Sequence, residues 1–422
     1  MVIASKVCKL LGLITLLLAP AFASVSVPGF HSVEIQFFAL AFFLMVMYGF
    51  QSLVYAYNDQ DLKSLLFVFL FYLCACFFSL LDTEDWFRGW LTLLQYVPYF
   101  FVVLFMVRFL QSERDFIGWF RWHAFAAVSL CAIVILMSLL LEGRNELNQF
   151  LLDYFRISVN KIYTFCALVY CILLSKVLLR RASLVEAFSV GIIVLAVFAA
   201  GSRGSVLALA VSFLFIAIIS GRVRVLFVSS SLVFFLILTA YLLNPFPELT
   251  SRFAVIGEQG LMTSERVQSV SRLFTAQVAL DLSLSHPVNG VGMGNLSNYS
   301  EGAMYSLNLP GAIVKYWSER SIFDTTSVYL KTLAETGIIG LFLLIVVFYR
   351  LLGRVYVKAR RNINDEYGLG VRVFIAVTVL HTMIDYSVAN YYFWINIGAA
   401  VVFGRVLGNK KYNHRVRNRF LG

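Results

Sequence analysis

Apolar runs close to the length needed to cross the hydrocarbon core as helix, about 20 residues, recur along most of the chain. They fall at 8–25, 33–55, 64–81, 90–109, 124–141, 162–178, 184–200, 205–220, 225–243, 334–349, 370–388 and 390–407. By the hydropathy criterion these predict about twelve transmembrane helices. The pattern changes once, at residues 244–333, which are mixed polar and hold Pro245, Pro247, Pro287 and Pro310, four of the seven prolines. Loops of this length without a function are uncommon. With no internal repeat, low-complexity tract or linker, residues 1–422 are expected to form a single all-α polytopic membrane domain with one large extracytoplasmic loop.

Composition sharpens this picture by exclusion. The chain is 60% hydrophobic and 14% charged, with a mean hydropathy of +0.82. Soluble domains are nearer half apolar and about a quarter charged. A soluble enzyme, a disordered chain, a nucleic-acid binder and a disulfide-stapled secreted domain are therefore set aside, and 40 Phe with 21 Tyr fit contact with lipid and its interface. The net charge of +11 arises from clusters between the apolar runs. With the N-terminus in the cytoplasm, 23 of the 34 Lys and Arg lie inside, and six of the rest lie in or beside the long loop. That asymmetry predicts both termini inside and residues 244–333 in the periplasm. Trp86, Trp90, Trp119, Trp122 and Trp394 stand near span ends, where interfacial aromatics are expected. Lys6 and Lys9, the following apolar stretch and Ala21-Phe22-Ala23 also fit a cleavable signal peptide. A retained first span is the preferred reading. The six cysteines all fall in apolar runs without metal-ligand spacing and read as small core residues.

Candidate chemistry lies in four places. At Gly201-Ser202-Arg203-Gly204-Ser205 two apolar runs are joined by almost nothing, so the chain turns tightly at the outer face. Arg203 then stands at the start of a helix. Free N–H groups, the positive end of the helix dipole and a guanidinium together suit an anion, although an Arg that merely anchors a hairpin would look the same. In the long loop, Val267, Val270, Phe274, Val278 and Leu282 recur at near-helical spacing, which predicts an amphipathic helix against the outer membrane surface. Arg266 and Arg272 lie on it, six residues apart. The helix leads into His286-Pro287-Val288-Asn289-Gly290-Val291-Gly292-Met293-Gly294-Asn295, a structured turn whose glycines lack the strand context of a nucleotide fingerprint. His286 is an acid/base or ligand candidate there, or a local hydrogen-bonding residue. Asp324-Thr325-Thr326-Ser327 caps a helix that continues through Tyr329 into the tenth span. These residues offer a carboxylate and hydroxyls to a sugar. Finally, His381 and Asp385 sit one turn apart at membrane depth, where ionisable groups are functional candidates or buried packing pairs. No metal site or cofactor motif is present.

The order of these pieces resembles the O-antigen polymerase and ligase superfamily, comprising Wzy-type polymerases and lipopolysaccharide O-antigen ligases. An SRG turn between two spans is followed by an Arg-led outer helix, an HPxxGVGxGN turn, a YLxxLAExGIIG segment and a late His/Asp pair. The resemblance covers about residues 184–390. It implies a GT-C-like, metal-free glycosyltransferase of the bacterial inner membrane, acting at the periplasmic face on undecaprenyl-pyrophosphate-linked glycan without a nucleotide sugar. A chain-length regulator protein is an implied partner. Arg203 and Arg272 match the family's two key arginines, expected to hold the pyrophosphate. Ser202, Arg266, His286, Thr326, Tyr329 and His381 are the expected substrate-binding residues. The ligases carry a His-Asn pair where this chain has Thr326 and Ser327. That departure favours a polymerase over a ligase and leaves Asp324, then Glu319, as candidate proton acceptors. A secondary transporter and a non-catalytic export scaffold are the alternatives from other classes. The lopsided sequence lacks the two similar halves expected of the former.

Overall fold

The computed structural model describes residues 60–81, 83, 85–141, 143–155, 158–221, 264–309, 311–318, 325, 327–360, 366–383 and 391–420. Every regular element among them is helical. The spans expected at 8–25, 33–55 and 225–243 lie outside the described residues.

Short polar residues between the apolar runs start the helices. Helices α1 (Gln60–Phe78) and α2 (Trp86–Phe109) are separated by a turn whose Asp85 accepts the Arg88 N–H at 3.0 Å. Ser112 caps α3 (Glu113–Leu140) by accepting from the Asp115 N–H at 3.1 Å. That cap starts the helix well before the run expected at 124–141, because Trp119, Phe120 and His123 are buried and extend its packed face. A short α4 (Arg144–Phe155) and a 3-10 turn (Val159–Lys161) lead to α5 (Ile162–Leu178). Ser183 and Glu186 then form a reciprocal capping box on α6 (Leu184–Ala199). After one tight turn comes α7 (Arg203–Ile219). The long polar loop supplies α8 (Ser264–Ser285), α9 (Leu296–Ser306) and α10 (Gly311–Ser318). The last group is α11 (Val328–Phe348), a π-helical turn at Tyr349–Gly353, α12 (Arg354–Arg360), α13 (Glu366–His381) and α14 (Tyr391–Phe420).

Four helical stretches among the described residues are long and apolar enough to cross a membrane: Trp86–Arg108, Glu113–Leu140, Val159–Leu178 and Val328–Val357. Shorter apolar helices run over Leu62–Phe78, Leu184–Ala199, Gly204–Ile219 and Tyr392–Val406. Leu184, Val185 and Phe188 on α6, and Phe125 on α3, are exposed, as side chains facing hydrocarbon would be. By contrast α5 is buried almost all round and packs against α3, α6, α7, α13 and α14. The aromatic expectation holds only in part. Trp86 and Trp122 are exposed, but Trp119 and Trp394 are packed inside, where Trp394 stacks on Tyr99 at 6.3 Å between ring centroids. Cysteines 76, 131, 166 and 171 are buried as expected, whereas Cys74 is exposed.

Buried polar groups tie the bundle together. Asn396 on α14 donates to the carbonyl of Thr164 at 2.7 Å, and its carboxamide oxygen meets His123 Nε2 at 3.2 Å. Leucine at this position would keep the volume but strand the imidazole. We expect Asn396→Leu to cost about 1–3 kcal/mol, seen as a lower midpoint in thermal unfolding of the detergent-solubilised protein. An unchanged midpoint would show that the bond contributes nothing.

The helices of the long polar loop are locked to the bundle by an interruption in α11. Gly337 has φ 65° and ψ −168°, which breaks the helix in the middle of its apolar run. The turn after α8 inserts there. Val291 N–H donates to Ala334 O and Gly292 N–H to Glu335 O, both at 2.9 Å, while Ile338 N–H donates to Pro287 O at 2.9 Å. The polar backbone groups released by the break are thereby satisfied within the protein, the condition for interrupting a helix at membrane depth. Across its other side the turn meets α1 and α2: Met293 N–H donates to Ser79 Oγ (3.2 Å) and the Asn295 amide to Asp85 O (3.1 Å). A second, smaller core forms around this joint from Val278, Ala279 and Leu282 of α8, Val291, Leu296, Met304, Val314 and Ala334. So α8 buries one face on α11 rather than on lipid alone. Leu273, Leu280 and Leu284 remain exposed on it.

Candidate functional site

The tight junction after α6 delivers Ser202 and Arg203 to one end of the bundle. Gly201, at φ 64°, reverses the chain, and Ser202 takes the N-cap position of α7 in an extended conformation. Its hydroxyl makes no capping bond to the helix. It accepts instead from Ser205 Oγ at 2.9 Å, and Ser205 also reaches Asn160 O at 3.3 Å. The first N–H groups of α7 are thus left without their usual side-chain acceptor, at a site where the next residue is an arginine.

Three further segments meet one another beside α7. The start of α5 brings Tyr163, whose hydroxyl is 3.0 Å from Ser212 Oγ of α7 and whose ring centroid is 5.2 Å from that of His381. The end of α13 brings His381 and Thr382. The start of α11 is joined to them: Val328 N–H donates to Thr382 O at 3.0 Å, Thr382 Oγ1 donates to Tyr329 Oη at 3.1 Å, and Tyr329 donates to Val379 O at 3.3 Å. The sequence expectation of a capped helix start is met, since Ser327 Oγ accepts from Leu330 N–H at 3.4 Å. Tyr329 and His381, distant in sequence, are therefore brought to joined helix ends, and Tyr163 connects them to Ser212 well inside α7.

The remaining candidates distribute differently. Arg272 is exposed on α8, and Arg266 lies about 1.7 turns earlier on the same helix. His286 is exposed at the end of α8, with its ring edge-on to Tyr299 at 6.1 Å; its carbonyl accepts from Gly290 N–H and closes the inserted turn. Asp324, Thr326, Glu319 and Asp385 lie outside the described residues. His381 is buried and lines a small cavity of about 10 Å³ with Tyr163, Thr164, Thr378, Phe393 and Asn396. That volume is near the lower limit for a single water. The hydroxyl of Thr164, which also lines the cavity, has no hydrogen-bond partner. No cluster of three or more His, Cys, Asp or Glu that would hold a metal occurs among the described residues.

Glu335, which its spacing pairs with Lys331 one helical turn earlier, is buried two residues before the break in α11 and sits in the joint itself.

Residues 188–345 match the family model described as O-antigen ligase. This segment, less than half of the chain, supports the resemblance to the O-antigen polymerase and ligase superfamily. Members of the superfamily are membrane glycosyltransferase-like enzymes. The match runs from α6 into α11, so it contains the Ser202-Arg203 junction, Arg266, Arg272, the inserted turn and Tyr329, but not His381. A chain from a solved peptidoglycan synthase complex is similar at 14% identity and a TM-score of 0.49, over 82% of this chain and 98% of that one. No curated protein matches the sequence.

Proposed function

We propose that this protein polymerises oligosaccharide repeat units carried on undecaprenyl pyrophosphate, at the periplasmic face of the bacterial inner membrane. The observation that carries the reading is the uncapped start of α7 at Arg203, tied through Ser205 to the turn before α5, in a bundle where the start of α5, the end of α13 and the start of α11 are joined to one another. A helix start whose N–H groups are not taken by a side chain is complementary to a diphosphate, and an adjoining guanidinium adds charge-assisted bonds. Arg272 would approach the same anion from α8.

In the reaction, a hydroxyl oxygen of the acceptor sugar forms a bond to the anomeric carbon of the donor. The bond from that carbon to the pyrophosphate oxygen breaks, leaving undecaprenyl pyrophosphate with the bonding pair. Donors fixed around that oxygen stabilise the charge as it develops. The hydroxyl proton passes to a base, for which Asp324 is the first candidate and Glu319 the second. Pyrophosphate is already a good leaving group, so the chemistry rests more on the arginines and on alignment of the two sugars than on a strong base. Thr326 and Ser327, in the place of the ligases' His-Asn pair, favour polymerisation. The ligase description of the matching family favours the second reading, transfer of finished glycan to lipid A-core or another acceptor. A chain-length regulator is a proposed partner of either.

Arg272→Ala separates these readings. With membrane levels normal, glycan made by cells carrying only the variant should accumulate as single repeat units if the protein is a polymerase, and as long unattached chains if it is a ligase. An unchanged profile would remove Arg272 from the site.

A further inference from the structure

We infer that the α9–α10 hairpin carries a saccharide-binding cleft that holds sugar residues of the glycan outside the arginine region. This inference rests on the glycosyltransferase reading for the source of the sugar, though not for the existence of the cleft. Between the two helices lies a cavity of about 460 Å³, within the ~300–1,000 Å³ range of small-molecule sites. Its floor is apolar and buried, formed by Met304 and Val314, both part of the outer-loop core. Its rim is polar and accessible, formed by Tyr305, Asn308 and Lys315. Tyr305 is 63% exposed, an aromatic ring left in the open at the mouth of a cleft. A pyranose matches that arrangement, because it presents C–H groups on a face and hydroxyls around its edge. The ring of Tyr305 and the floor would take the face, and the Asn308 carboxamide would bond the hydroxyls.

Asn308 also has a structural duty that fixes how it must be tested. It adopts φ 49° just after the end of α9, where its N–H donates to Tyr305 O at 3.1 Å and the Leu309 N–H donates to Met304 O at 3.2 Å. This is a helix-terminating motif for which glycine is the preferred residue. If capping were its whole role, Asn308→Gly would be neutral or stabilising. If the carboxamide binds sugar, the same change would keep the fold and weaken binding. Tyr305→Ala removes an exposed ring and is equally mild for the fold.

The test uses full-length protein in lipid nanodiscs. The probe is the soluble oligosaccharide repeat unit released by mild acid from the host's own lipid-linked glycan, and saturation-transfer NMR reads its affinity. Wild type should bind, and Asn308→Gly and Tyr305→Ala should each bind at least fivefold more weakly with unaltered thermal midpoints. Wild-type affinity in either variant, or no binding by the wild type, overturns the cleft. Arg203→Ala should lose glycan transfer and still bind the probe. The reading of the reaction thus fails on transfer, and the cleft fails on binding.

Discussion

Adding a single methyl group at Gly337 or Gly290 should abolish the folded protein. The two glycines face each other across the joint between the inserted turn and the break in α11. A Cβ at Gly290 would stand 2.5 Å from Thr336 N and 2.6 Å from Ala334 O; one at Gly337 would run into the carbonyl of Val288 and lie 2.8 Å from Asn289 N. All of these are backbone atoms, which cannot swing aside as the tip of a side chain can. Both glycines also have positive φ, 68° and 65°, where an L-residue costs about 1–2 kcal/mol before any clash. Relief of the clash would pull apart the three backbone bonds of the joint, each worth about 1 kcal/mol and more once left unmade inside the protein. Against a net stability of about 5–15 kcal/mol, a loss of this order leaves little folded material. The measurement is size-exclusion of a fluorescent fusion in mild detergent, where Gly337→Ala and Gly290→Ala should show no monodisperse peak. Gly302→Ala is the control, since it lies in α9 with no atom within 4 Å of the added carbon. Normal elution of either joint variant would refute the account of α11.

The second large effect concerns chemistry without loss of fold. Arg203 is the first residue of α7, so alanine there keeps the helix and even improves its propensity. On the proposed reading it removes a charge-assisted donor from the leaving pyrophosphate. Loss of one such donor typically lowers turnover about 10²–10³-fold. Lysine should restore part of this, leaving a defect of about tenfold or more, because an ammonium supplies the charge but not the planar two-point contact. The comparison is glycan yield in cells with matched membrane levels of each variant. Near-normal yield from Arg203→Ala would sink the catalytic assignment, whereas a graded series of Arg, Lys and Ala would support it.

Much of this architecture is legible in the sequence because lipid imposes a long and simple pattern. The runs at 162–178 and 184–200 reappear almost unchanged as α5 and α6, and Ser327 of the hydroxyl-rich lead-in reappears as a cap. The amphipathic stretch after Ser264 is a helix, as its spacing indicates. What the pattern conceals is anything that depends on partners distant in the chain. Hydropathy treats 334–349 as one span, since Gly337 is apolar by composition; only the inserted turn makes a break there affordable. The glycines at 290–294 signal a turn but not its destination between α1, α2 and α11. Trp119 and Trp394 look interfacial by position and are core by packing, because which face of a helix meets lipid is set by its neighbours. At the candidate site the sequence supplies the residue types. It cannot say that Tyr163 and Thr382, which it passed over, stand beside His381 and Tyr329.

The clip between the turn and α11 bears on how the outer region can be handled. Of the residues that complete the smaller core, Ala334 belongs to the long apolar helix, and the acceptors for Val291 and Gly292 lie on that helix as well. A recombinant fragment ending at Ser318 would lack them. It would show its apolar stripe to water and aggregate instead of behaving as a soluble module. Structural or antibody work on this region therefore calls for the intact protein in detergent or nanodiscs.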